Sequence, residues 1–401
     1  MALAPALKPV PQAPSWNPFR CGGTALPIPL LLMVKLVALT LLLTNHVRLL
    51  PDPFLPFIPG LDLLLPPLVF QRILQTVFVA SALALLFNRW VRASSLVLGL
   101  TILLAVVSSK AYYGNNKTFC GCLLFLTGLY EPKRGTLLLR WQLIVVYFGA
   151  GLNKILDADW RSGLFFENWA ANRLRHGLYM QAAALLPPLA LAKIMCWSTI
   201  IVELTLSPAF AIRRAWPLAI WINILFHSAL LLFTGSTFTM FFYAMNASVL
   251  AFISWPQNRL LVIYDGDCGF CTRTRRFLER FDLEGTLHWT AYQSGLARRY
   301  GLTDDAARER LYLIEEGRIF AGYGAFQRMA MYNPASWISI AILVALPWDD
   351  AGIVRRVLVA GFLILFSPLF VPLGESIYSI VARNRHRLSS ETACPVDRHG
   401  A

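Results

Sequence analysis

Charge is scarce in this sequence, and acidic charge most of all. Of its 401 residues only 14% are charged, 22 Asp or Glu against 36 Lys or Arg, which leaves a formal charge of +14 at neutral pH. So little charge beside 57% hydrophobic residues excludes an ordinary water-soluble domain as a description of the whole chain. Cysteine is sparse as well. Of seven, only Cys120/Cys122 and Cys268/Cys271 lie close in sequence, which rules out a small secreted domain stapled by disulfides. No second Cys-x-x-Cys accompanies Cys268/Cys271. No basic, aromatic-interleaved polar stretch of the kind that holds nucleic acid is present either, so nucleic acid is not an expected partner. The positive charge sits instead in short loops between apolar runs, where it sets topology and meets anionic headgroups. The segment 1–26 is Pro-rich and irregular, and the apolar run after it lacks a cleavage site, so no cleavable signal peptide is expected.

What the chain has in abundance is apolar runs of membrane-spanning length. Candidate spans are 27–44, 68–87, 93–112, 118–130 (short), 137–156, 187–210, 216–233 and 237–255. They predict a polytopic α-helical membrane domain of about eight helices over 27–256. Arg89, Arg92, Lys133, Arg134, Arg140, Arg213, Arg214 and Arg259 fall on one side if alternate loops are cytoplasmic. The N-terminus and everything after residue 256 then also lie inside. Lys35 and Glu203 are costly in lipid unless they face the bundle, and the two could pair. Cys120 and Cys122 read as small apolar residues or as a second redox pair.

Beyond residue 256 the pattern changes. Residues 260–264 read as a strand, 271–281 as a helix and 286–291 as a strand. Short helices follow at 294–300 and 304–309, then a hairpin of 311–314 and 318–323 around Glu315-Glu316-Gly317, then a helix over 324–332. The order β-α-β-α-β-β-α predicts an α/β, thioredoxin-like domain with its core at 259–334. Between the first strand and helix lies Tyr264-Asp265-Gly266-Asp267-Cys268-Gly269-Phe270-Cys271. A thiol at a helix start faces unsatisfied N–H groups and the positive dipole end, and so ionises more easily. Cys268 then reads as an attacking thiolate and Cys271 as the resolving thiol. Arg273, Arg275 and Arg276 favour the thiolate, whereas Asp265 and Asp267 oppose it. No Pro precedes the hairpin where a thioredoxin places its cis-Pro, and Gln293-Ser294 stands there instead. After Pro334, residues 337–348 are too short to span comfortably, while 353–373 are long enough. These form either a hairpin or interfacial pair that returns the tail to the cytoplasm, or a buried helix of the soluble domain.

The motif resembles the signature of the DCC family of thiol–disulfide oxidoreductases. Ala382-Arg383-Asn384-Arg385 and Cys394 match that family's late Arg-Asn-Arg element and cysteine. The resemblance implies a redox domain with Cys268 and Cys271 as its catalytic residues, no metal, and a cytoplasmic thiol or disulfide partner. The rival reading is a structural zinc site, with Cys394 and His386 or His399 completing four ligands.

The membrane half carries Tyr147-Phe148-Gly149-Ala150-Gly151-Leu152-Asn153-Lys154, then Asp157-Ala158-Asp159-Trp160, then Phe226-His227 and the run from Phe238 to Asn246. These resemble the HTTM membrane domain shared with the vitamin K-dependent γ-glutamyl carboxylase. The resemblance implies Lys154 as a base toward a reduced quinone, with His227 nearby and Glu203 as the family's acidic residue. Asn116 is followed by Lys117 where the carboxylase has Asn-His, and no large lumenal domain is present, so glutamate carboxylation is not expected. The resulting expectation is a membrane-anchored thiol–disulfide oxidoreductase in a bacterial inner membrane, its lipid-facing half coupled to a quinone. A quinol-dependent enzyme with a lysine base and a non-enzymatic scaffold with a zinc-binding cysteine pair are the alternatives.

Overall fold

The computed structural model describes residues 16–50, 54–60, 63, 67–234, 239–346, 353–367 and 370–385. A helix forms at each of the eight apolar segments: α1 Ile28–Leu43, α2 Pro67–Leu86, α3 Val91–Ser108, α4 Asn115–Gly128, α5 Leu137–Leu156, then, after three short helices (α6 Ala158–Ser162, α7 Leu164–Glu167, α8 Gly177–Ala183), α9 Ala190–Ala211, α10 Trp216–Thr234 and α11 Thr239–Ser248. Among the described residues, four helices are long and apolar enough to cross a membrane: Pro67–Leu86, Val91–Ser108, Ala190–Ala211 and Arg213–Phe233. Helix α1 is apolar all round, as a helix surrounded by other helices must be. It packs against α2, α4 and α11, and most of its side chains are buried.

Small residues set the closest approach. A Cβ added to Gly99 of α3 would lie 2.5 Å from the Phe125 amide nitrogen, and one on Gly128 of α4 would lie 2.7 Å from Leu96 Cβ. Without a hydrophobic drive between helices in lipid, such backbone contact is what holds them together.

The C-terminal domain is a four-stranded mixed sheet in the order β2-β1-β3-β4, made of β1 Leu260–Tyr264, β2 Leu287–Ala291, β3 Tyr312–Glu315 and β4 Arg318–Ala321. β1 and β2 are parallel, joined by helix α12 Gly269–Phe281. β3 and β4 are an antiparallel hairpin, and β3 runs antiparallel to β1. Residues alternate across β1, Leu260 and Val262 joining one apolar cluster and Leu261 and Ile263 the other. The hairpin turns on Glu316 and Gly317, both at positive φ (46° and 84°), the geometry that matches the twist of two-residue hairpins. Two expectations need adjustment. The first hairpin strand lies one residue later than read, because the turn uses Glu316-Gly317 alone, and the second starts at Arg318 as read but ends at Ala321. The short helix read at 294–300 is instead two 3₁₀ turns, Tyr292–Ser294 and Leu296–Tyr300, parted by Gly295 at φ 77°. Helix α13 Asp304–Glu309 follows, capped by the Thr303 hydroxyl, and α14 Gly322–Met331 succeeds the hairpin.

Three further helices tie the two halves together. Helix α15 Pro334–Ala345 packs on α1, and α16 Ile353–Phe366 packs on α10 and back on α15. The apolar pair thus lies against the membrane helices on one side and touches α14 of the sheet domain on the other. Helix α17 Val371–Asn384 then returns to α14.

Candidate active site

Cys268 caps α12. Its Sγ accepts the Cys271 amide N–H at 3.4 Å, and the Cys271 side chain donates to it as well. The thiol is nearly buried, at 2% exposure, while Cys271 is half-buried. Hydrogen bonds from the Cys271 side chain and amide outweigh the burial penalty, and Arg385 adds its positive charge. Together they bring the Cys268 thiol down from 9.0 to about 6, against the opposing charge of Asp265. The Cys271 thiol moves the other way, held protonated chiefly by its hydrogen bond to Cys268 and by burial. The two thiols are therefore differentiated: one nucleophile, one proton-bearing partner.

The charge that matters is not the expected one. Arg275 points away, its guanidinium bonded to the Tyr264 hydroxyl at 2.6 Å and to Glu279 at 2.8 Å. Arg273 and Arg276 are exposed and do not act on the thiols. Arg385 takes this role from the end of α17. It is held by the carbonyls of Arg308 and Glu309 and lies 3.7 Å from the buried carboxylate of Asp265. Asp265 in turn accepts from the Asp267 amide at 3.1 Å and from Gln293 Nε2 at 3.1 Å, while Gln293 Oε1 accepts the Gly266 amide at 3.2 Å. Gln293 thus fastens the redox turn from the 3₁₀ turn that follows β2. Tyr378, Ala382 and Arg385 line a small hollow beside Cys271. Glu375 anchors the same helix to Arg310 and to the Tyr323 amide.

Among the described residues, no group of three or more His, Cys, Asp or Glu side chains is placed to hold a metal ion. Cys394, His386 and His399, the remaining members of the zinc reading, lie outside the described residues.

A second site lies in the membrane half. A cavity of about 700 Å³ is lined by Tyr147, Lys154, Trp160, Trp169, Glu203 and His227, among other largely apolar side chains. Lys154 Nζ sits 2.7 and 2.8 Å from the two Glu203 oxygens and 5.1 Å from the centre of the Trp160 ring. The Tyr147 hydroxyl donates to Asn223 Oδ1 and lies 2.9 Å from His227 Nε2. Asn223 donates onward to the Met245 carbonyl at 3.2 Å and to Asn246 Oδ1 at 3.3 Å. Lys154 and His227 thus share one cavity, but each has its own partner. The pairing of Lys35 with Glu203 does not occur. Lys35 donates to the carbonyls of Pro18 (2.9 Å) and Arg20 (2.6 Å), because the segment before α1 folds back over it. Cys120 is buried with its sulfur 3.9 Å from Met240 Sδ, as a small apolar residue would be, and Cys122 edges the cavity.

Family models match both halves of the chain. Residues 131–255 match the HTTM domain, and residues 262–356 match the DCC1-like thiol-disulfide oxidoreductase. The chain carries an HTTM domain followed by a DCC1-like domain. It is a membrane protein with a redox-family domain at its C-terminal side. Searches of curated proteins and of solved structures found no match. The HTTM match contains Tyr147, Lys154, Glu203 and His227, and the DCC1-like match contains Cys268 and Cys271. Arg385 falls beyond the DCC1-like match, yet it reaches the redox turn. Asn223 was not singled out from sequence, and Tyr147 only as the first residue of the quoted stretch, although a polar residue inside an apolar span was the available signal.

Proposed function

We propose that the DCC1-like domain exchanges thiols and disulfides through Cys268 and Cys271. The Cys268 thiolate attacks a disulfide of a partner. The partner's S–S bond breaks, its departing thiolate takes up a proton, and a mixed disulfide joins Cys268 to the partner. Cys271, once deprotonated, attacks the Cys268 sulfur and releases the second partner thiol. The partner disulfide gains two electrons and the Cys268/Cys271 pair loses two. The observation that carries this reading is the placement of the Cys268 sulfur at the start of α12, where it accepts the Cys271 amide N–H at 3.4 Å beside the second thiol and the charge of Arg385. Redox titration of the full-length protein in detergent, with thiol labelling read by mass, tests it. Cys268 and Cys271 should become protected together as one two-electron couple. Independent or absent oxidation of the two would contradict the reading.

The partner fitting this reading is a cytoplasmic thiol or disulfide, with the DCC1-like domain inside a bacterial inner membrane, because the basic loops of the HTTM domain favour that side. Labelling of Cys271→Ser cells by a membrane-impermeant thiol reagent tests the orientation: Cys268 should react only after the membrane is opened.

One observation favours a second activity: Lys154 and Glu203 face an apolar cavity large enough for a quinone headgroup. Lys154 would take a proton from a bound quinol once its own ammonium proton has passed to Glu203, and Glu203 would thus carry the proton onward, beside the aromatic wall of Trp160 and Trp169. The quinone itself would supply the two-electron chemistry. The two halves are then coupled if electrons from Cys268/Cys271 maintain that quinone. A Cys268→Ser variant with undiminished quinone reduction would dissociate them.

A further inference from the structure

Helix α12 has a face that the redox chemistry does not use. Arg273, Arg276, Phe277, Arg280 and Phe281 project together at helical spacing, and all are exposed. Phe277 is 58% and Phe281 48% exposed, and their rings lie 4.8 Å apart. The opposite side holds Leu278 against the sheet and Arg275 against Tyr264. The only acidic residue of the helix, Glu279, is turned to the flank and occupied by Arg275 at 2.8 Å. Arginines interleaved with paired aromatics on one face are the composition of a helix that lies in a membrane interface.

The position of the helix points the same way. The Phe281 carbonyl accepts from Asn333 Nδ2 at 3.0 Å, and Asn333 caps the apolar helix α15. Three residues after Phe281, Glu284 accepts the Gly22 amide at 3.0 Å, six residues before α1 begins. The aromatic end of α12 therefore sits where the chain runs into two apolar helices of the membrane half.

We propose that α12 lies against the anionic headgroup layer of the membrane that holds this chain, with Phe277 and Phe281 entering the acyl boundary and Arg273, Arg276 and Arg280 meeting lipid phosphates. The redox pair sits at the other end of this 13-residue helix, about 20 Å away at 1.5 Å per residue. Lipid contact then fixes how the thiols are presented to a partner approaching along the membrane. The site is independent of thiol exchange and stands or falls separately.

The test uses the full-length chain with benzoylphenylalanine in place of Phe277 or Phe281, reconstituted in phosphatidylcholine vesicles containing a minority of phosphatidylglycerol. Each arginine near an anionic surface favours the acidic lipid by about fivefold. Photoadducts at both positions should therefore be lipid, with the ratio of phosphatidylglycerol to phosphatidylcholine at least about fivefold above that of the vesicle. Combining Arg273→Gln, Arg276→Gln and Arg280→Gln should return the adducts toward bulk composition. The photolabel in place of Glu279 should give fewer lipid adducts. An alkylation midpoint of Cys268 kept at that of the unaltered chain shows in the same sample that each variant is folded. Absence of lipid adducts, adducts to a second polypeptide, or adducts of bulk composition unaffected by the arginine changes would overturn the proposal.

Discussion

Removing the side-chain donor of Cys271 should raise the pKa of Cys268 while leaving the fold intact. In Cys271→Ala the amide N–H still reaches the Cys268 sulfur and Arg385 still supplies its charge, but the largest stabilising contact is gone. A hydrogen bond to an ionised group contributes about 1.5–3 kcal/mol, and each pKa unit is about 1.4 kcal/mol. The midpoint should therefore rise by about one to two units from its value of about 6, stopping short of the ordinary 9.0. Cys271→Ser, whose hydroxyl can still donate, should move it less. The assay is the rate of iodoacetamide addition to Cys268, followed by mass across pH 4–10 (about six units, spanning the folded and ordinary midpoints). The midpoint is the quantity to read, because a more basic thiolate is also intrinsically more reactive and the plateau will shift. The same depression of the Cys268 pKa is linked to folding: its stabilisation is complete above the ordinary thiol pKa and is lost as pH falls through about 6. A wild-type midpoint near 9, or one that Cys271→Ala leaves unmoved, would refute the reasoning.

Three further outcomes are expected. Arg385→Gln removes a weaker contributor and leaves Asp265 buried beside the thiol without its cation. The same alkylation midpoint should therefore rise by less than in Cys271→Ala, and Arg385→Lys should recover part of the loss. Lys154→Met strands the Glu203 carboxylate in the membrane half and should cost about 3–5 kcal/mol, read as a lower melting temperature in detergent. Lys154→Met combined with Glu203→Leu should cost less, because no unpaired charge is left. Gly99→Ala puts a methyl against the Phe125 backbone and should separate α3 from α4, at about 1–3 kcal/mol in the same melt.

The sheet domain was legible because its signals are local. A strand, a Cys-x-x-Cys at a helix start and a Glu-Gly turn each depend on neighbours in sequence, and all three stand within a residue or two of where they were read. The helical segments were legible for the same reason, through continuous apolar runs. The partners of the charged residues were not. Arg275 lies four residues from Cys271 and turns away, whereas Arg385, more than a hundred residues on, reaches the site because α17 folds back over α14. Lys35 and Glu203 looked like two stranded charges that could meet. The chain satisfies Lys35 with backbone carbonyls and gives Glu203 to Lys154, a choice set by helix packing. Asn223 is likewise ordinary in sequence, and only helix packing brings its side chain to Tyr147 and so into one network with His227.

The central claim is that Cys268 attacks and Cys271 resolves. Its most direct test is to isolate the full-length Cys271→Ser protein from membranes under acid quench and to look for a mixed disulfide on Cys268. The account predicts a discrete adduct on Cys268, released by dithiothreitol, absent from Cys268→Ser and scarce in the wild type, where Cys271 clears it. A Cys268 that stays free in Cys271→Ser, or an adduct equally abundant in the wild type, would contradict it.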